Sequence, residues 1–363
     1  MTVHSNHGIG GLTMNTSHST LSRLRWGIAS ALALATATYS TAQALELPGV
    51  TVGAGMRTSF VSEESAAPDG GSSNDFVLDS IRLYVDGQVT GNIGFTFNTE
   101  YYTDANDEET ISVLDAIARF EYSDVMNIWA GRFLPPSDRS NLSGPYFLTT
   151  WNFPPVQAYP AIFAGRDNGL AYWGQVGGGQ FKWQLGVFEG PETPGDDLLY
   201  AARLTANFWD PEPGYYNSST YYGDKDILAV GLVAQSQDGE NSYSVDVLME
   251  KNLGDVGTVT LEAAYYDYDI LGGLDALGAE ASNGYFLLAG YLFPQEVGIG
   301  RIQPVVRYSY GEIDNGPDGK VTDYNINYII SGHGARISLA YQDKKDTLFG
   351  DDNVFVLGLQ LQM

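Results

Sequence analysis

The stretch VLDAIARFEY, residues 113–122, decides how this chain is read. Side chains on a strand alternate with period two, so Leu114, Ala116, Ala118, Phe120 and Tyr122 share one face. Asp115, Arg119 and Glu121 share the other. A soluble sheet turns its apolar face to a core. A barrel in lipid turns it outward and wraps the charged face around water.

The same alternation runs along the whole chain. In GNIGFTFNTEYY (91–102), Ile93, Phe95, Phe97, Thr99 and Tyr101 oppose Asn92, Thr96, Asn98 and Glu100. In GQFKWQLGVF (179–188), Phe181, Trp183, Leu185 and Val187 oppose Lys182, Gln184 and Gly186. The final residues continue it, with Phe355, Leu357, Leu359, Leu361 and Met363 on one side and Gln360 and Gln362 on the other. Such segments number about sixteen, most close to the ~9–11 residues of a tilted transmembrane strand. They lie near 49–61, 76–89, 92–102, 111–122, 126–134, 168–177, 179–188, 197–208, 226–236, 241–251, 256–267, 283–293, 298–310, 321–331, 334–342 and 353–363.

Connections alternate as well. Long acidic gaps at 62–75, 103–110, 135–167, 189–196, 268–282, 311–320 and 343–352 are interleaved with short turns such as 90–91, 123–125 and 331–334. One gap breaks the pattern: WDPEPGYYNSSTYYGDKD (209–226) falls where a short turn is expected. It holds either an ordered inserted loop or an overlooked strand pair. Tyr101, Tyr122, Tyr265, Tyr308 and Tyr341 face outward near strand ends, as interfacial girdles require. A soluble β-sandwich also alternates. The alternating loop lengths and the apolar face on every strand favour instead an all-β closed antiparallel transmembrane barrel.

At the amino terminus, Arg23 and Arg25 precede an apolar run from Trp26 to Ala37 that ends in Ala42-Gln43-Ala44. This is the pattern of a cleaved secretory signal over 1–44, with Met14 as an alternative start and a mature barrel domain over 45–363. The leader holds two of the 18 basic and none of the 44 acidic residues, so the remainder carries a net −28. That charge repels nucleic acid. No cysteine is present, which removes disulfides and thiolate metal sites.

LDSIRLYVDGQVTGNIGFTFNTEY (78–101) and LDAIARFEYSDVMNIWAGRFLPPSDRSNLSGPY (114–146) resemble the family of outer-membrane porins typified by phosphate-selective porins O and P. The likeness rests on two strand pairs followed by Gly131, Arg132 and Phe133 and by a loop opening on Pro135 and Pro136. It implies a 16-stranded, trimeric channel in the bacterial outer membrane, in contact with lipid and lipopolysaccharide. Its third extracellular loop would fold inward. That loop is 134–167, rich in proline and aromatics, with Arg139, Tyr146, Trp151 and Arg166 as candidate constriction residues.

Period two places Arg57, Arg82, Arg119, Arg132, Lys182, Arg203, Arg301, Arg307 and Arg336 on the lumen side. Asp86, Glu100, Asp115, Glu121, Asp246, Glu250, Glu262 and Asp323 share it. Excess negative charge sits in loops, for example at Glu63, Glu64, Asp104, Asp107, Glu108, Asp351 and Asp352. Arginines at a constriction draw anions such as phosphate. Cross-strand pairing with the wall carboxylates is the alternative role.

No enzyme signature emerges. His333, the single histidine beyond the leader, falls in the turn SGHG and reads as solvent-exposed. DNGPDGK (314–320) lacks the acidic twelfth residue of an EF-hand, with Asn325 in that place. Gly177-Gly178-Gly179 is a turn with no helix behind it to cradle phosphate. No metal or other cofactor is expected. The expected function is passive diffusion of small hydrophilic solutes and ions. Its rivals are a barrel sheath around a partner protein and, with a single histidine, a barrel enzyme.

Overall fold

The computed structural model describes residues 49–103, 109–160, 164–193, 195–269, 271–274, 280–345 and 348–363. The stretch 1–44, expected to be a leader, and the loop acids Asp104, Asp107 and Glu108 lie outside them. Sixteen long strands alternate up and down: β1 (Val50–Glu63), β2 (Ser73–Thr90), β3 (Ile93–Thr103), β4 (Glu109–Ser123), β5 (Met126–Phe133), β6 (Asp167–Val176), β7 (Phe181–Phe188) and β8 (Leu199–Asn207). They continue with β9 (Ile227–Gln237), β10 (Glu240–Asn252), β11 (Thr258–Tyr268), β12 (Ser282–Leu292), β13 (Gly300–Ile313), β14 (Asp318–Ser331), β15 (Ala335–Lys345) and β16 (Val354–Gln362). A two-residue strand, Glu296–Val297, extends the pairing at the foot of β13.

Each strand pairs antiparallel with its neighbour in sequence, and β1 pairs with β16 from Gly55↔Gln362 to Glu63↔Val354. The sheet is therefore closed, and closure removes the open edge that hydrocarbon would not tolerate. Every segment expected from alternation is a strand here. Connection 208–226 carries no strand, so the overlooked pair is ruled out in favour of an ordered insertion.

The apolar rows point away from the barrel. Leu357, Leu361, Ile326, Leu339 and Tyr324 are exposed on the outer surface, whereas Gln360, Asn325 and Asn327 on the opposite faces are buried. Of the expected girdle tyrosines, Tyr122, Tyr265, Tyr308 and Tyr341 are among the exposed residues.

One residue of the opening stretch departs from strict alternation. Leu114 is fully buried rather than outward. Across from it the register shifts, since Asn98 pairs with Asp115 but Thr99 pairs with Val113. Leu114 is thus the extra residue of a β-bulge, and the bulge reverses the parity of the strand. Beyond it Val113 and Ile111 take the outer face that Ala118 and Tyr122 hold on the other side. Periodicity cannot place such a bulge, because both parities read as alternating.

Candidate functional site

Two connections fill much of the lumen, entering from opposite ends. The third long loop turns inward after β5, over 134–160. It carries a single helical turn, Arg139–Ser143, whose first free N–H groups are capped by the Asp138 carboxylate through Asn141 N at 3.0 Å. The connection 208–226 rises from the short-turn end to meet it.

The third loop is tied to the wall through its own carbonyls. Arg57 Nη2 donates to Trp151 O at 2.6 Å, and Arg336 Nη1 to Leu148 O at 2.6 Å. Arg307 reaches both Asn152 O and Phe153 O at 2.9 Å, while its Nε donates to Asp323 at 3.0 Å. Asn327 and Gln360 donate to Thr149 O and Tyr146 O at 2.8 and 2.9 Å. Two loop aromatics sit where the wall has no side chain. A Cβ on Gly358 would lie 2.5 Å from the Trp151 ring, and one on Gly55 would lie 2.8 Å from Tyr146. Glycine inside a strand marks such close approach.

The second loop is held in the same manner. Lys182 Nζ donates to Gly214 O at 3.1 Å and Asn217 Oδ1 at 2.6 Å, and Gln184 donates to Tyr215 O at 2.7 Å. Glu250 accepts from Tyr221 N and Gly223 N. Where the loops meet, Arg139 forms a fork with Glu212, both contacts at 2.7 Å, and Arg139 Nη1 also donates to Ser218 O. Although burial works against its ionisation, the Arg139 guanidinium holds the Glu212 carboxyl at a pKa of about 2. Asp246 accepts from Arg203 at 3.0 Å and from Arg139 N at 3.2 Å.

His333 is not the exposed turn residue that its SGHG setting suggests. Its Nε2 lies 2.9 Å from Thr220 O and its Nδ1 lies 3.2 Å from Tyr146 O, one carbonyl from each loop. Its ring packs between Phe147 and Tyr222, at centroid distances of 4.6 and 4.8 Å. Burial, and then the charge of Arg336, lower its pKa to about 4.

All nine cations expected on the lumen side have partners, and eight of them face inward. Arg132 does not, because Trp129 and Phe133 take the inner face of β5 and Arg132 lies opposite Ala116 on the outer row. Besides those above, Arg82 pairs with Glu100, and Arg119 lies 3.4 Å from Asp86 and 3.8 Å from Glu121. Arg132 donates to Asn168 Oδ1 at 3.0 Å, and Arg301 makes a long contact to Tyr222 O. Glu262 accepts from Ser219 Oγ at 3.1 Å. The four loop candidates Arg139, Tyr146, Trp151 and Arg166 are all buried inside the barrel. Gln184, Gln360, Asn325, Asn327 and Glu212 were not singled out from sequence. For the four amides the available signal was inward parity, reinforced for Gln360 by Gly358 on the same strand; Glu212, in a connection without a strand, offered none.

The third loop touches the wall of β2–β4, where the Tyr146 hydroxyl donates to Ser80 Oγ at 3.1 Å, without filling the space in front of it. Between that wall and the loops lies a cavity of about 340 Å³, lined by Arg82, Tyr84, Asn98 and Asp115 of the wall and by Leu134, Leu142, Phe147, Arg166, Tyr216 and Asn217 of the loops. Arg166 pairs with Asp115 across it at 3.1 Å. Further along the same wall, Asp86, Arg119 and Glu121 retain solvent access.

No family model and no curated relative matches this chain. Solved structures do. It is similar to an anion-selective porin from Comamonas acidovorans, at 16% identity and a TM-score of 0.56, over 86% of this chain and 99% of that one. It is similar to OmpF of Salmonella typhi at 14% identity and a TM-score of 0.58, over 87% and 98%. A Rh. blastica porin aligns at 14% identity and a TM-score of 0.55, over 86% and 100%. At such identity the likeness establishes the fold, a porin-type barrel.

Proposed function

We propose that the chain is exported behind a leader removed near residue 44 and forms an outer-membrane porin for passive diffusion of small hydrophilic solutes. One observation carries this reading: the barrel is apolar outside and polar inside, and its loops leave a cavity of about 340 Å³ in front of the β2–β4 wall. Lipid denies a hydrated solute any passage, and this wall supplies a wet path without chemistry.

Anions such as phosphate are not favoured by this arrangement. Arg57, Arg203, Arg307 and Arg336 are engaged by loop carbonyls, and the cations nearest the opening face carboxylates. These engagements support a structural role for the inward cations and a weak charge preference. The sheath reading fits less well, since the chain's own loops occupy the space a partner would need.

Swelling of proteoliposomes in uncharged solutes of graded mass tests the proposal. Rapid swelling in the smallest solutes, with a sharp cut-off as mass rises, is expected. Absence of swelling in every solute would favour the sheath.

A further inference from the structure

We propose that the ion pair between Arg166 and Asp115 sets the charge preference of the passage. Intact, it lets small hydrophilic solutes pass by size, without regard to the sign of their charge. The proposal rests on the channel reading above and names the residues that fix its substrate class.

Among the described residues, this is the ion pair with both members lining the cavity in front of β2–β4. Arg82 lines it too, but its partner Glu100 does not; Glu100 stands opposite Arg82 on β3 and turns its second oxygen to Ser80 at 2.7 Å. The pairs of Arg139, Arg203 and Arg307 are fully buried and fasten loop backbone. Further along the wall, Arg119 faces both Asp86 and Glu121 in contact with solvent, where water and salt screen them.

Both members are held in place from either side of the cavity. Asp115 accepts from Arg166 Nε at 3.1 Å through Oδ1 and from Asn98 Nδ2 at 2.8 Å through Oδ2. Arg166 is the last residue before β6, and a tight turn aims it. Ala164 and Gly165 both have left-handed backbone, with φ of +48° and +79°. A residue with a side chain adopts that conformation only at a cost, so the position of Ala164 marks a site the fold enforces. The turn closes on the arginine itself, whose Nη1 donates to Ala164 O at 2.8 Å.

A lone guanidinium on a narrow passage draws anions, and a lone carboxylate draws cations. Joined at contact distance the two present a dipole, and an entering ion of either sign meets no net charge from them. Each member therefore masks the selectivity that the other would impose.

The zero-current potential of the mature protein in a planar bilayer, across a steep KCl gradient at mildly alkaline pH, tests the assignment. The intact channel is expected to give a potential near zero. Arg166→Gln leaves the Asp115 carboxylate alone and should move the potassium-to-chloride permeability ratio roughly fivefold toward potassium. Asp115→Asn leaves the guanidinium alone and should move it by a similar factor toward chloride. The double variant should return to the intact value. Lys345→Gln removes a charge from the exposed outer row instead and should shift nothing. Folded mobility on an unheated gel shows that each variant is still a barrel. A strongly selective intact channel, single variants that shift together or not at all, or an equal shift from Lys345→Gln overturns the assignment and leaves the pore intact. A protein that never conducts overturns the channel reading itself.

Discussion

Arg139 and His333 show how single residues hold two loops together across the lumen. Arg139 is fully buried and joined to Glu212 through both carboxylate oxygens. Removing one member of a buried ion pair strands the other and costs about 3–5 kcal/mol. Arg139→Ala is therefore expected to release connection 208–226 and raise single-channel conductance, while the barrel keeps its folded mobility on an unheated gel. Unchanged conductance would contradict the latch. For His333, a pKa of about 4 lies below the ordinary ~6.5 of imidazole. Native packing thus disfavours the proton. The clasp's contribution is complete above about pH 6.5 and declines as pH falls toward 4. Glu212 stays ionised throughout that window. Acidification from pH 7 to 4 should raise loop-opening events in bilayer recordings, and His333→Asn should flatten the response. At this scale the sequence was legible in direction only. Parity placed eight of nine cations on the correct face, missing at Arg132, and the partner of Arg307 lies on a loop more than a hundred residues away in the chain. No local pattern encodes such a contact.

Among the elements, the strands were readable and the bulge was not. Period two depends on local pleating alone, so all sixteen strands followed from it. The parity reversal at Leu114 depends on what β3 and β5 present on either side. On β5, Gly131 lies opposite Ile117, three residues along β4 from Leu114, with φ of +127°. A Cβ there would lie 2.0 Å from Ala116 O. Gly131→Ala should cost of order 3 kcal/mol, read as a lower melting temperature in detergent by circular dichroism. Trp151 gives a second test. Gly358→Val would push its ring off the wall and out of the Arg57 guanidinium contact, which is 3.9 Å from the ring centroid. A red shift in tryptophan emission and a larger conductance are expected; an unchanged spectrum would contradict the packing. The long connection 209–226 stood out in the sequence only as an exception to a rule. Its aromatic and small polar residues gave no sign of direction, because inward folding depends on Lys182 and Gln184 of β7 and Glu250 of β10, strands that flank the connection in the closed wall.

For the molecule as a whole, closure between β1 and β16 turns a repeating pattern into a surface that water cannot wet. The outer rows need detergent or lipid, and aggregation of the mature chain on detergent removal is expected by size-exclusion chromatography. Closure itself was inferable from an even strand number and the amphipathic last strand. The width of the passage was not, because it is set by two loops rather than by the wall. The central claim is that solute passes through this barrel along a path narrowed by those loops. Comparing single-channel conductance of the mature chain with that of a variant in which 211–223 is replaced by a short turn tests it most directly. Small ohmic steps for the intact chain and several-fold larger steps for the variant are predicted. Silence from both, or steps of equal size, would contradict it.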